Sequence, residues 1–125
     1  MRKDEIDSLV SAYCEFTKTP EESSRKEELY WSFEKLFQAS LSDPDLCLKL
    51  ILAVLQADHS DSVLEQLAAG PMEELLVQHG AEVIDRVEER AESDPVFRDM
   101  LGGVWRSEIA GDVWDRIVAA RGPAW

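Results

Sequence analysis

The sequence predicts an all-α fold: a compact single domain of about seven to eight short helices, arranged as an irregular bundle or as HEAT-like stacked helical hairpins. Three observations predict it. Apolar residues recur every three or four positions, the period of a helix face. Four of the five prolines stand where a helix would begin, where proline loses no hydrogen bond and its φ is already set. No segment alternates apolar and polar residues with the period of two that marks a strand. With 45% hydrophobic residues in 125, the chain can bury one core without a metal or disulfide, so residues 1–125 read as one domain.

Taken in order, Ile6, Leu9, Val10 and Tyr13 form one face of a first helix. Thr19-Pro20-Glu21-Glu22 has the form of a capping box, which would open a second helix faced by Leu29, Phe33, Leu36 and Phe37. Asp43 caps a third helix from Pro44 to about Ala57 that is apolar nearly all round, as expected of a central helix. Short helices follow over 61–69 and 71–79, with Gly70 ending the first, Pro71 opening the second and Gly80 ending it. A longer helix spans 81–92. Asp94-Pro95 opens one over 95–105, with Gly102-Gly103 as its termination signal, and the last covers 112–121, leaving 122–125 as a short tail. Asp43-Pro44 and Asp94-Pro95 lie too far apart for a single ~40-residue repeat and share no internal pattern, so bundle and solenoid both stay open.

Charge narrows the partner class. The 13 Lys and Arg against 26 Asp and Glu give a net charge of −13. Between Lys49 and Arg86 there is no lysine or arginine, while Asp58, Asp61, Glu65, Glu73, Glu74, Glu82 and Asp85 accumulate there. Such a field repels nucleic acid and acidic membranes and favours a basic protein partner. No run reaches the ~18 apolar residues of a membrane span. Cys14 and Cys47 fall within apolar helical patterns and form no CxxC, so they read as reduced, packed thiols of a cytoplasmic protein.

No catalytic constellation stands out, and neither catalytic residues nor a cofactor or metal ligand are assigned. There is no GxSxG, Gly102-Gly103 lacks a P-loop lysine and a preceding strand, and neither histidine is placed beside a cysteine. His59 reads as part of a helix start capped by Ser60 or Asp61, and His79 as a ring satisfying terminal carbonyls at a helix end. The sharper feature is the helix over 81–92. Glu82, Asp85, Glu89 and Glu92 share one face at spacings of three, four and three, opposite Val83, Ile84, Val87 and Ala91. Paired acids of the Exx[ED] kind hold Mg²⁺ in all-helical nucleotide pyrophosphohydrolases, which makes a metal-dependent nucleotide hydrolase the alternative. Both pairs sit on one helix here, and no basic cluster would hold a triphosphate. As a solvated face, the set includes an ordinary i,i+4 spacing from Glu82 to Arg86, but also the like-charge pairs Asp85/Glu89 and Glu88/Glu92, whose repulsion a basic partner would relieve. Glu73 and Glu74 add to the acidic stretch, although acids in first turns are favoured by the helix dipole regardless of function. Trp114 belongs with Val113, Ile117 and Val118 on the last helix, and Trp105 would pack at the preceding helix end. Trp31 points away from Phe33 and Leu36, to pack against another element or to stand exposed as an interface anchor.

Leu67-Ala68-Ala69-Gly70-Pro71-Met72-Glu73-Glu74-Leu75-Leu76, then His79-Gly80, Asp94-Pro95, Leu101-Gly102-Gly103-Val104-Trp105 and Val113-Trp114 resemble a family of short bacterial proteins that carry a domain of unknown function. The resemblance covers about residues 29 to 121 and implies a small cytosolic helical protein, without a mechanism. Residues 1–25 look less family-like and read as an added N-terminal helix. The expected function is an acidic protein–protein interaction module, most concretely an immunity-type or inhibitor protein that occludes a basic partner, or else a small housekeeping adaptor.

Overall fold

A computed structural model describes all 125 residues. It is helical without strands: α1 (Lys3–Lys18), α2 (Ser24–Ser42), α3 (Pro44–Ala57), α4 (Asp61–Leu67), α5 (Glu73–Ser93), α6 (Pro95–Leu101) and α7 (Gly111–Ala120), with one π-helical turn at Ala68–Met72 joining α4 to α5. Since α4, that turn and α5 run on continuously, the seven α-helical segments make six rods.

The third helix sits where its all-round apolarity places it. Cys47, Leu50, Ile51 and Val54 of α3 are fully buried, and α3 packs against α1, α2, α4, α5 and α6. In a solenoid each hairpin touches only its neighbours. Here α1 also reaches α4, and α2 reaches α5, so the fold is an irregular bundle around α3. Asp43 and Asp94 cap α3 and α6 as expected, accepting from the Leu46 amide and from the Val96 and Phe97 amides.

Three punctuation marks act differently from the expectation. Thr19 closes α1 instead of opening α2: its hydroxyl donates to the Glu15 carbonyl at 2.7 Å, and Ser23 is the residue that caps α2. Lys26 of α2 reaches back to the Phe16 and Thr19 carbonyls and completes the α1 terminus, with its ammonium 4.0 Å from the Phe16 ring centroid. Gly70-Pro71 neither ends nor starts a helix. Pro71 has no amide to give the ladder, and the backbone widens into a single π turn around it while Leu67, Ala68, Met72 and Glu73 keep helical angles. Gly80 does not terminate either. The chain kinks one residue earlier, at His79 (φ −135°, ψ 22°), and continues. Gly80 is small because α7 comes close: a Cβ there would lie 2.9 Å from Val113 Cγ1.

At the other end α6 stops at Leu101, short of Trp105. Gly102, Gly103 and Val104 donate back to the carbonyls of Asp99, Met100 and Leu101, tightening the last turn. The tail returns over α6 and is tied to it, with the Trp125 amide on the Gly102 carbonyl at 3.1 Å. Ser60 occupies the cap position of α4 without a side-chain bond; Asp58 organises that turn, accepting the Ser60 amide at 2.9 Å and pairing with Lys18. Lys18 first, then the Ser60 amide, pulls the Asp58 pKa down to about 2.

The first helix, which the family-like stretch does not include, forms a wall of the core. Leu9 is 0% exposed and Tyr13 1%, against α2, α3 and α4. The Tyr13 hydroxyl is buried without a hydrogen-bond partner, which leaves its desolvation uncompensated. Tyr13→Phe is therefore expected to raise stability by about 1 kcal/mol in a urea melt; a loss of that size would mean the hydroxyl is satisfied in solution. Cys14 and Cys47 are free thiols, and burial pushes that of Cys47 up to about 12.

An acidic cleft between α5 and α7

The amphipathic pattern of α5 sends Val83, Ile84, Val87 and Ala91 into the core and leaves Glu82, Asp85, Glu89 and Glu92 on the outer side. Against this side lies α7, seated through Val113 and Ile117 in the space that Gly80 leaves. Between the two helices is a cleft of about 540 Å³. Asp85, Glu88, Glu89 and Glu92 form its acidic wall, and the methyl groups of Ala91, Ala119 and Ala120 are its apolar lining.

Arg116 of α7 supplies part of the neutralisation. Its guanidinium bonds Asp85 Oδ1 at 2.6 Å and Glu88 Oε2 at 2.9 Å, holding the Glu88 carboxyl below its usual range. Arg98, also at the cleft, donates to the Ala91 carbonyl at 2.9 Å. Glu89 and Glu92 form no ion pair. Nor does Arg86 pair with Glu82 across one helical turn: it crosses to Asp45 of α3 at 2.8 Å. Lys49, Arg86 and Arg90 rim a second cleft, of about 440 Å³, on the far side of Glu89, so the acidic field is concentrated on the α7 side.

Glu82 lies one turn before the cleft and serves the kink. His79 contacts Glu82 Oε1 through Nδ1 at 3.1 Å and the Leu41 carbonyl through Nε2 at 2.8 Å. Both partners accept, so the protonated ring, with both nitrogens donating, is the form that satisfies both contacts. The carbonyl it satisfies belongs to the last turn of α2, not to its own helix. First the Leu41 carbonyl and then Glu82 raise the His79 pKa above 6.5. Stability from this clasp is complete below the unfolded value of 6.5 and is lost as pH rises through the higher folded value. Thermal melts should accordingly decline on the alkaline side of that window, and His79→Gln should flatten the decline; an unchanged profile would remove the clasp from the account.

Of the residues the sequence singles out, the fold brings Asp85, Glu89 and Glu92 together in the cleft and leaves four elsewhere, Glu82 at the kink and three further away. Burial of Glu73 raises its pKa by desolvation. Glu74 accepts from Gln78 Nε2 at 2.9 Å. Both follow the π turn inside a continuous helix, so neither gains the first-turn dipole benefit expected of them. Trp31 is 43% exposed beside Met1, Asp4 and Lys35, at the α1–α2 end. Trp105, expected to pack, is 79% exposed, and Val118 is 43% exposed although Val113 and Ile117 are buried as expected. Glu88, noted in the sequence only for its like-charge spacing to Glu92, joins the acidic wall, and Ala119 and Ala120 line the cleft while Arg116 pairs with that wall; no local signal marks the three α7 residues, because the register of α7 on α5 decides which of them face it. No group of three or more His, Cys, Asp or Glu side chains is arranged to hold a metal ion. No helix is long and apolar enough to cross a membrane.

The chain belongs to a family of unknown function (DUF6869), whose sequence model matches residues 19–124. The matched region begins after α1 and includes every residue of the cleft. No curated protein and no solved structure matches the chain.

Proposed function

We propose that this member of the DUF6869 family is an acidic protein–protein interaction module whose α5–α7 cleft receives basic side chains of a protein partner, most concretely as an immunity-type or inhibitor protein of a bacterial cytoplasm. The observation that carries the reading is the pair Glu89 and Glu92, carboxylates that form no ion pair, in a concave, alanine-lined site. A Lys or Arg stem can lie along the alanine methyls while its head group meets the carboxylates. The net charge of −13 would speed encounter with a basic surface and discourage nucleic acid. Free Cys14 and Cys47 suit a reducing compartment.

Asp85 and Glu89, like Glu88 and Glu92, stand one turn apart with like charge, and Arg116 relieves only the first member of each pair. The E89Q/E92Q variant is therefore expected to keep its circular dichroism and to melt at the same temperature or slightly higher. It should also lose a basic protein that the parent retains from host lysate at low salt and releases as salt rises. Loss of fold, or retention equal to the parent, would defeat the reading.

A further inference from the structure

The opposite flank of α7 carries a surface of the reverse chemistry. With Val113 and Ile117 turned to the core, Ala119 and Ala120 face the acidic cleft, while Trp114 and Arg121 border a separate cavity of about 360 Å³. Trp105, 79% exposed, and Trp125, 56% exposed, line it with the half-buried Trp114, and Arg106 and Arg121 complete the setting.

The backbone holds these rings in place. Val104 and Ile109 are buried on either side of the Trp105 loop, and Ser107 between them adopts φ 47°, a left-handed conformation that a non-glycine residue rarely takes and that turns the loop outward. Trp125 donates from its indole nitrogen to the Asp99 carbonyl at 3.0 Å, and its ring lies so close on Gly103 that a Cβ there would be 2.4 Å away. Exposed large aromatics gathered on one surface are the anchors from which binding surfaces are built.

The arginines specify the partner. Eight of the 13 Lys and Arg side chains are engaged in ion pairs. Arg106 and Arg121 are not among them, although carboxylates outnumber cations in the chain by 26 to 13. The Arg121 guanidinium instead stands 5.4 Å from the Trp114 ring centroid, with its hydrogen-bonding edge available. We propose that this surface binds a linear acidic segment of a partner protein, an Asp or Glu taken by Arg106 or Arg121 beside an apolar or proline residue laid on the tryptophans. Nucleic acid would need a longer track of basic charge than two arginines, against the repulsion of the whole chain. The site is independent of the acidic cleft and selects the opposite charge.

A phage-displayed library of random peptides, panned on the immobilised full chain, tests it. Enriched sequences should share an Asp or Glu next to an apolar or proline residue. Their synthetic peptides should shift the tryptophan emission to the blue. Affinity should fall by about tenfold or more in Trp105→Ala and in Arg121→Gln. The E89Q/E92Q variant should bind them like the parent. Trp105→Ala is expected to fold normally, since its side chain is mostly in solvent, and circular dichroism checks this; Arg121→Gln provides a second variant. Absence of enrichment, enrichment of Lys- and Arg-rich peptides, or peptides indifferent to both variants would overturn the proposal. So would self-association in sedimentation that Trp105→Ala abolishes, which would assign the surface to a second copy of the chain.

Discussion

Leu9→Ala is expected to destabilise the protein by about 2–5 kcal/mol and to lower the thermal midpoint by roughly 10 °C or more. Leu9 is completely buried, in a helix that faces α2, α3 and α4 at once. Truncation removes its transfer free energy and leaves a cavity that three helices would have to close together. The effect is informative because α1 ends at Lys18 and the family match begins at residue 19. If α1 were an addition to a self-sufficient domain, Leu9→Ala would fray one helix and leave the main transition near its parent midpoint. Denaturant melts followed by circular dichroism separate the outcomes: one cooperative transition at a lower midpoint supports α1 as core, and a small early phase with an unshifted main transition contradicts it.

Gly80→Ala should also cost stability, by about 1–2 kcal/mol, although alanine is the better helix former by about 1 kcal/mol. The added Cβ meets Val113 Cγ1 at 2.9 Å and Cγ2 at 3.2 Å, so α7 must shift on α5. Because Arg116 reaches Asp85 and Glu88 from α7, the shift would also loosen the ion pairs that shape the acidic cleft. A double-mutant cycle isolates the cause. In a Val113→Ala background only the Val113 Cβ remains, 3.5 Å from the new atom, which is ordinary contact. There the same Gly80→Ala change should become neutral or stabilising. A cost that persists in that background would place the need for glycine in the kink at His79 and not in the helix contact.

These contacts also show what was legible in the sequence. The buried face of α1, the central position of α3 and the caps at Asp43 and Asp94 follow from periodicity and short-range hydrogen bonding, which the chain carries locally. The misread positions are those where tertiary packing decides between local options. Pro71 and Gly80 are helix breakers by propensity, but a π turn accommodates one and the approach of Val113 requires the other. Thr19 had a capping sequence on its C-terminal side, yet its hydroxyl was taken by the helix before it. The acidic face of α5 could be read from spacing alone. That it becomes one wall of a cleft could not, because the opposing wall belongs to α7, and neither could the crossing of Arg86 to Asp45. Trp105 is expected to pack at the end of the preceding helix; the tight turn after Leu101 carries it out to solvent.

The claim that the α5–α7 cleft is a docking site is tested most directly by placing a photo-crosslinking amino acid at position 119, an exposed alanine on the cleft wall that leaves the carboxylates intact, in the native host, with position 22, in the turn between α1 and α2, as the control. The account predicts one dominant adduct from position 119, to a basic protein, absent from position 22 and weakened when Glu89 and Glu92 are replaced by Gln. No adduct at position 119, or the same products from both positions, would contradict it.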